Sequence, residues 1–155
     1  KIAKLLSIGG KQSVDDIHKK LGHIMWEYVG MGRTEEGLKT ALKLLKDIRK
    51  EFETNLFIPG STEGVNIELE KALRLNDFIT MGELIAYDAL NRNESCGGHF
   101  REEYQTEEGE AKRDDENYFY VSCWEFQGSD DVAPVLYKEP LVYEAIKVQT
   151  RNYKS

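Results

Sequence analysis

Between positions 92 and 102 the chain reads Arg92-Asn93-Glu94-Ser95-Cys96-Gly97-Gly98-His99-Phe100-Arg101-Glu102, and Arg113-Asp114-Asp115-Glu116-Asn117-Tyr118 follows shortly after. A histidine and arginines around a glycine pair could bind an anion or handle a proton. Gly97-Gly98 permits positive φ and close backbone approach. His99 and Arg101 alternate, so an extended segment points both the same way. The same residues also support a purely structural reading. Arg92, His99 and Arg101 can pair with Glu94, Asp114, Asp115 and Glu116 and pin the loop. Structural ion-pair networks imitate sites well, and residue chemistry alone favours the pinned loop.

Other combinations point to less. Cys96, His99 and Cys123 supply three candidate metal ligands, but zinc sites bring four ligands with paired short spacings, and only a C-x-x-H is local here. His18 and His23 lie five apart, a spacing that does not stack side chains on a helix as i, i+4 does. They read as surface or packing histidines. Trp26 and Trp124 read as core or interface anchors. The acidic cluster from Glu102 to Glu116 reads as a solvated loop, since paired carboxylates for acid–base work need a dry pocket. There is no P-loop, no G-x-G-x-x-G after a strand and no nucleophile elbow. The residues by themselves specify no reaction.

These groups must be held by something, and 155 residues suffice for one ordinary domain with a real core. The 40% hydrophobic and 32% charged fractions describe a soluble globular chain, and no apolar run approaches the roughly 20 residues that span a bilayer. Acidic residues exceed basic ones by 28 to 21, a net charge of −7, which argues against nucleic acid or an anionic membrane as main partner. Two cysteines suit free thiols and a reducing, cytoplasmic compartment. The chain opens on Lys1-Ile2-Ala3 without a methionine, so it reads as a fragment of something longer.

Residues 1–12 show no clear period and read as a lead-in ending in Gly9-Gly10-Lys11-Gln12. Ser13 with Asp16 forms a capping box. Val14, Ile17, Leu21, Ile24, Met25, Tyr28 and Val29 then follow at helical spacing, ended by Gly30 and Gly32. Thr34, with Glu35 and Glu36 in the first turn, starts a second helix. Its buried stripe is Leu38, Ala41, Leu42, Leu45, Ile48 and Phe52, and Lys39, Lys43, Lys46, Arg49 and Lys50 fill its wet side. Pro59-Gly60-Ser61 and Gly64 make Asn55–Val65 a loop. Asn66 caps a third helix to about Asn91. One stripe of it holds Leu69, Leu73, Ile79, Ala86 and Leu90, and a second holds Leu75, Phe78, Met81 and Ile85. Two stripes mean burial on two sides, at the centre of the bundle or against something outside this chain.

Beyond Glu94 the character changes. Glu102–Asn117 is almost wholly polar, Tyr118–Phe126 is a strand by composition, and Gly128–Asp131 turns into a second strand at Val135–Tyr137. Pro134 and Pro140 suggest an edge. Leu141–Ser155 reads as an extended tail. The fold class expected is mainly α: a three-helix bundle (spectrin-repeat-like) over 13–93, then a loop, a small β-hairpin and an extended tail over 94–155 packed on the bundle, one domain overall.

Arg92-Asn-Glu-Ser-Cys-Gly-Gly-His-Phe-Arg101 resembles the R-x-E-S-R-G-x-H-x-R segment of the flavoprotein subunit of succinate dehydrogenase and fumarate reductase. Arg113-Asp-Asp-Glu-Asn-Tyr118 is similar to the R-D-D-x-x-[WY] that follows it there. Met25-Trp26-Glu-Tyr-Val-Gly30 with Arg33 is similar to the family's M-W-x-x-x-G-x-x-R, and Leu38 and Ala41 sit where its next helix begins. The ordered set runs from about residue 13 to 137. Cys96 departs from it, standing where the family commonly has arginine, so an ion pair made by that arginine is absent or rerouted.

The resemblance implies the family's C-terminal helical domain, a three-helix bundle with an irregular loop and a small hairpin. It implies a parent enzyme, FAD-dependent, that interconverts fumarate and succinate and passes electrons to an iron–sulfur subunit. That complex includes a membrane anchor subunit and sits at the cytoplasmic face of the inner membrane. Flavin and substrate would be held by FAD-binding and capping domains outside these residues, so no catalytic, cofactor-binding or metal residue is carried over to this chain. Arg92, Glu94, His99, Arg101, Arg113, Asp114 and Asp115 then form an interdomain or structural network in a scaffold. Two other readings stand beside it. One is the C-terminal domain of an L-aspartate oxidase, which shares an E-S-R-G-x-H segment; the other is an independent helical interaction module.

Overall fold

The computed structural model describes residues 1–129 and 132–149. They divide into two compact units, Lys1–Asn91 and the residues from Arg92 onward. The first is helical: α1 (Ile2–Ser7), α2 (Val14–Val29), α3 (Glu35–Asn55) and α4 (Ile67–Asn91). The second holds one helical turn, α5 (Asp115–Tyr118), and the strands β1 (Tyr120–Glu125) and β2 (Val135–Pro140). The chain is thus mainly α with a small hairpin, as expected.

In the first unit α2, α3 and α4 pack pairwise, and α1 lies against α4. The lead-in therefore differs from expectation: Ile2–Ser7 is helical and buries Leu5. Six residues are too few to display a helical period. The long helices begin where side chains satisfy their first free amides. Ser13 Oγ accepts from the Asp16 amide at 3.1 Å and donates to Asp16 Oδ2 at 2.7 Å, so the carboxylate closes the box on the hydroxyl. Thr34 Oγ1 accepts from the Gly37 amide and Asn66 Oδ1 from the Leu69 amide, each at 3.0 Å. At the far end of α2, Arg33 Nε donates to the carbonyls of Val29 and Gly30. Partial burial lowers the Arg33 pKa from its ordinary value, against the opposing pull of Asp88.

The core is the continuous apolar face of these helices, with Ile17, Leu21, Leu38, Leu45, Leu75 and Ile79 among its most enclosed members. Each such side chain contributes about 1.5–3 kcal/mol on burial. Two expectations about its edges are corrected. Arg49 leaves the wet side of α3: its guanidinium donates to Glu83 Oε1 at 3.1 Å and to Thr80 Oγ1 at 3.0 Å, tying α3 to α4. Leu75 joins the buried face of α4, while Phe78, Met81 and Ile85 stay exposed. The loop after α3 is also more than a connection, because Leu56 and Ile58 are buried. Gln12 pairs with Leu56, and Gly10 lies so close to the Asn55 backbone that a Cβ there would stand 2.0 Å from it.

In the second unit β1 and β2 form an antiparallel pair with Cys123 opposite Tyr137 and Trp124 opposite Leu136. β1 starts at Tyr120 instead of Tyr118, because Asp114 Oδ1 accepts from the Asn117 amide at 3.2 Å and turns 115–118 into a helix. β2 runs past Tyr137 to Pro140, which pairs with Tyr120 at the strand's end. The turn expected over Gly128–Asp131 starts on Gly128 at φ +84, but Asp130 and Asp131 lie outside the described residues. Residues 141–149 form no helix or strand, and the rest of the expected tail lies outside the described residues.

Candidate functional site

In the second unit the buried side chains among the described residues are Glu94, Ser95 and Arg101. All are polar, so this unit is organised around hydrogen bonds, and each must be satisfied to be tolerated.

Glycine chemistry shapes the segment first. Cys96 and His99 exchange both backbone bonds, at 2.8 and 3.0 Å, leaving Gly97-Gly98 as a two-residue hairpin turn. Gly97 has φ +58, the positive angle that such turns need at the first central position. The turn folds Arg101 back beside Ser95. The Arg101 amide donates to Ser95 Oγ at 2.9 Å, and that hydroxyl donates to the Arg101 carbonyl at 3.1 Å. The Ser95 amide in turn reaches the Lys112 carbonyl at 2.9 Å. The polar stretch after it is also ordered: the Lys112 amide donates to the Tyr104 carbonyl and the Thr106 amide to the Glu110 carbonyl.

Charge completes the arrangement. Arg92 Nη1 donates to Glu94 Oε1 at 2.7 Å, and the other oxygen of Glu94 accepts from the Asp114 amide at 2.9 Å. Arg92 also donates to the carbonyls of Tyr118 and Tyr120, at 3.1 and 2.9 Å. Both tyrosine rings lie against its guanidinium, 5.6 and 5.1 Å from centroid to Cζ. His99 Nε2 lies 2.9 Å from the Arg92 carbonyl oxygen. Arg101 Nε donates to Glu103 Oε2 at 3.0 Å, and its guanidinium covers the Tyr104 ring. Arg113 donates to Asp115 Oδ1 at 2.6 Å. That bond is the main reason its pKa is raised, against an opposing desolvation, with the Glu94 carboxylate adding.

The seven singled-out residues thus fall into linked but distinct contacts. Arg92, Glu94 and the Asp114 backbone form one chain of bonds, which His99 joins at a carbonyl. Arg113 with Asp115 and Arg101 with Glu103 are separate pairs. Arg101 finds a carboxylate in Glu103, two residues away, which the sequence did not single out. Sequence reasoning missed Tyr104, Tyr118, Tyr120 and Ser95. Tyr104 had a local signal, an aromatic ring three positions after Arg101, whereas Tyr118 and Tyr120 reach Arg92 from 26 and 28 positions away and had none. No buried side-chain nitrogen or oxygen lacks a partner among the described residues. Nor do three or more His, Cys, Asp or Glu side chains there come together as a metal cluster would require. Of the other candidates, His18 stacks on Phe78 with ring centroids 5.4 Å apart. Trp26 is 81% exposed and so is no core anchor.

Residues 18–153 match the family model described as the fumarate reductase flavoprotein C-terminus. The chain belongs to this family. It is 30% identical over 137 residues to the fumarate reductase flavoprotein subunit of Helicobacter pylori, covering 88% of this chain and 18% of that protein. An uncharacterised FAD-dependent oxidoreductase of Methanocaldococcus jannaschii is 32% identical over 107 residues, 66% of this chain and 19% of the relative. A chloroplastic L-aspartate oxidase of Nicotiana tabacum is 35% identical over 89 residues, 57% of this chain and 13% of the relative. The fold matches quinol fumarate reductase of E. coli with a TM-score of 0.72 at 23% identity, over 94% of this chain and 24% of that one. The chain therefore spans less than a fifth of each of these curated relatives. Among the described residues no helix is long and apolar enough to cross a membrane.

Proposed function

We propose that this chain is the C-terminal scaffold of a flavoprotein subunit that interconverts fumarate and succinate. The parent subunit carries FAD in its other domains and passes electrons to an iron–sulfur subunit. The complex is held at the cytoplasmic face of the inner membrane by an anchor subunit. The observation that carries this reading is the match of residues 18–153 to the C-terminal part of fumarate reductase flavoproteins. Its chemistry is consistent with a scaffold. Glu94 and Arg101, the buried charges of the second unit, are each engaged by neighbours within it. Arg92, Glu94, His99, Arg101, Arg113, Asp114 and Asp115 fasten the fold and take no part in the reaction. In this reading the flavin lies outside the described residues. They contain an antiparallel hairpin and helices, and no strand leads through a glycine turn into a helix to cradle a pyrophosphate.

A second reading has its own support. The tobacco L-aspartate oxidase is 35% identical where it aligns, above the Helicobacter fumarate reductase at 30%, although over fewer residues. Assay of the full-length flavoprotein separates the two. Fumarate reduction and succinate oxidation with negligible turnover of aspartate support the first reading. Aspartate oxidation without succinate oxidation replaces it with the second.

A further inference from the structure

The first unit keeps an apolar flank along the seam of α2 and α4. Two contacts set the register of this seam and show the helices running parallel. Asp15 pairs with Lys71 at 3.2 Å, and one turn on His18 stacks against Phe78. Further along, Met25 and Leu21 lie beside Gly82. Helical spacing then carries the seam through Gly22 and Trp26 on α2 and through Met81 and Ile85 on α4. Phe78, Met81 and Ile85 are 45%, 52% and 42% exposed, and Trp26 is more exposed still. The seam ends near Arg33, whose charge interacts with Asp88. An apolar strip about 12 Å long is therefore flanked by charge at both ends.

Gly22 is the informative residue. It is exposed in the middle of α2, and a Cβ placed on it would meet nothing within 4 Å. Glycine costs a helix about 1 kcal/mol relative to alanine there, and nothing within the unit requires it. With His18 one turn before it and Trp26 one turn after, it forms a notch between aromatic walls. A helix surface of this kind suits close packing by another chain segment, and exposed apolar patches rimmed by charge mark interfaces.

We propose that this strip is where the flavin-binding remainder of the parent polypeptide packs, with an apolar side chain of that remainder seated in the Gly22 notch. The proposal rests on the function proposed above. The choice of occupant follows from chain length. In each of the three curated relatives described above, more than four-fifths of the polypeptide lies outside the matched part. That remainder is tethered to this unit and meets it at high effective concentration without assembly of a second subunit.

Hydroxyl-radical footprinting of the full-length flavoprotein and of this chain alone tests the proposal. Trp26 and Met81 are expected to oxidise about tenfold more slowly in the full-length protein, because packed interface cores exclude water. Gly22→Trp in the full-length protein restores their oxidation severalfold. In this chain alone the same substitution leaves the helical circular dichroism unchanged. Equal oxidation of Trp26 and Met81 in both proteins, with flavin present in the longer one, overturns the packing proposal and leaves the function standing. Protection that appears only after an iron–sulfur subunit is added, or that grows with concentration of this chain alone, overturns the choice of occupant. A full-length protein without flavin defeats the function itself.

Discussion

Arg92 and Glu94 lie two residues apart and bond through their side chains at 2.7 Å, with the Glu94 side chain 2% exposed. Glu94 then reaches across twenty positions to the Asp114 amide, while Arg92 reaches Tyr118 and Tyr120. One ion pair therefore joins the glycine turn, the α5 cap and the start of β1. It is the internal hub of the second unit.

Replacing Glu94 by alanine leaves Arg92 without its carboxylate and the Asp114 amide without its acceptor. Breaking a buried pair from one side costs about 3–5 kcal/mol. The check is hydrogen exchange at the Ser95 and Arg101 amides, which reports local opening free energy. Protection should fall by an amount of that size. Unchanged protection shows that the turn holds without the pair.

The glycines of the turn should respond in opposite directions. Gly97 sits at φ +58, where a Cβ is strained, whereas Gly98 has neither positive φ nor a neighbour within 4 Å. Gly97→Ala is expected to destabilise by about 1 kcal/mol, and Gly98→Ala to be neutral or stabilising by about 0.5 kcal/mol. Urea denaturation of the two variants side by side measures this, and equal midpoints count against the turn geometry.

On the hairpin, the Tyr137 hydroxyl donates to Glu125 Oε2 at 3.1 Å, and this bond raises the Tyr137 pKa. Because the folded value is the higher one, the bond's contribution to folding is full below the ordinary tyrosine value of about 10. It is lost as pH rises through the folded value. Carbon NMR of the Tyr137 ring should show titration above that of a free tyrosine, and Glu125→Gln should bring the midpoint down. A midpoint indifferent to Glu125→Gln removes the bond from the account.

Much of the first unit was legible in the sequence because its signals are local. Ser13, Thr34 and Asn66 cap the helices they precede, and the apolar spacing of α2 and α3 marks the face that is buried. What was not legible depends on partners distant in the chain. Leu56 and Ile58 are buried by neighbours that no local pattern reveals, and Arg49 finds Glu83 thirty-four positions away. Leu75 could be sorted from Phe78 only once α2 and α3 were in place. In the second unit the residue types of the loop were legible, but their individual partners were not. Arg101 takes the near carboxylate of Glu103, and Asp114 spends its side chain capping α5. The pairing of one charge among many nearby opposites is decided by backbone geometry that composition does not encode.

The proposed scaffold role places the flavin's cradle outside this chain, and one spectrum tests it. The purified 155-residue chain and the full-length flavoprotein, prepared alike, are compared by visible absorbance. The flavin bands are expected in the full-length protein and not in the chain alone. Flavin retained by the chain alone would contradict that role.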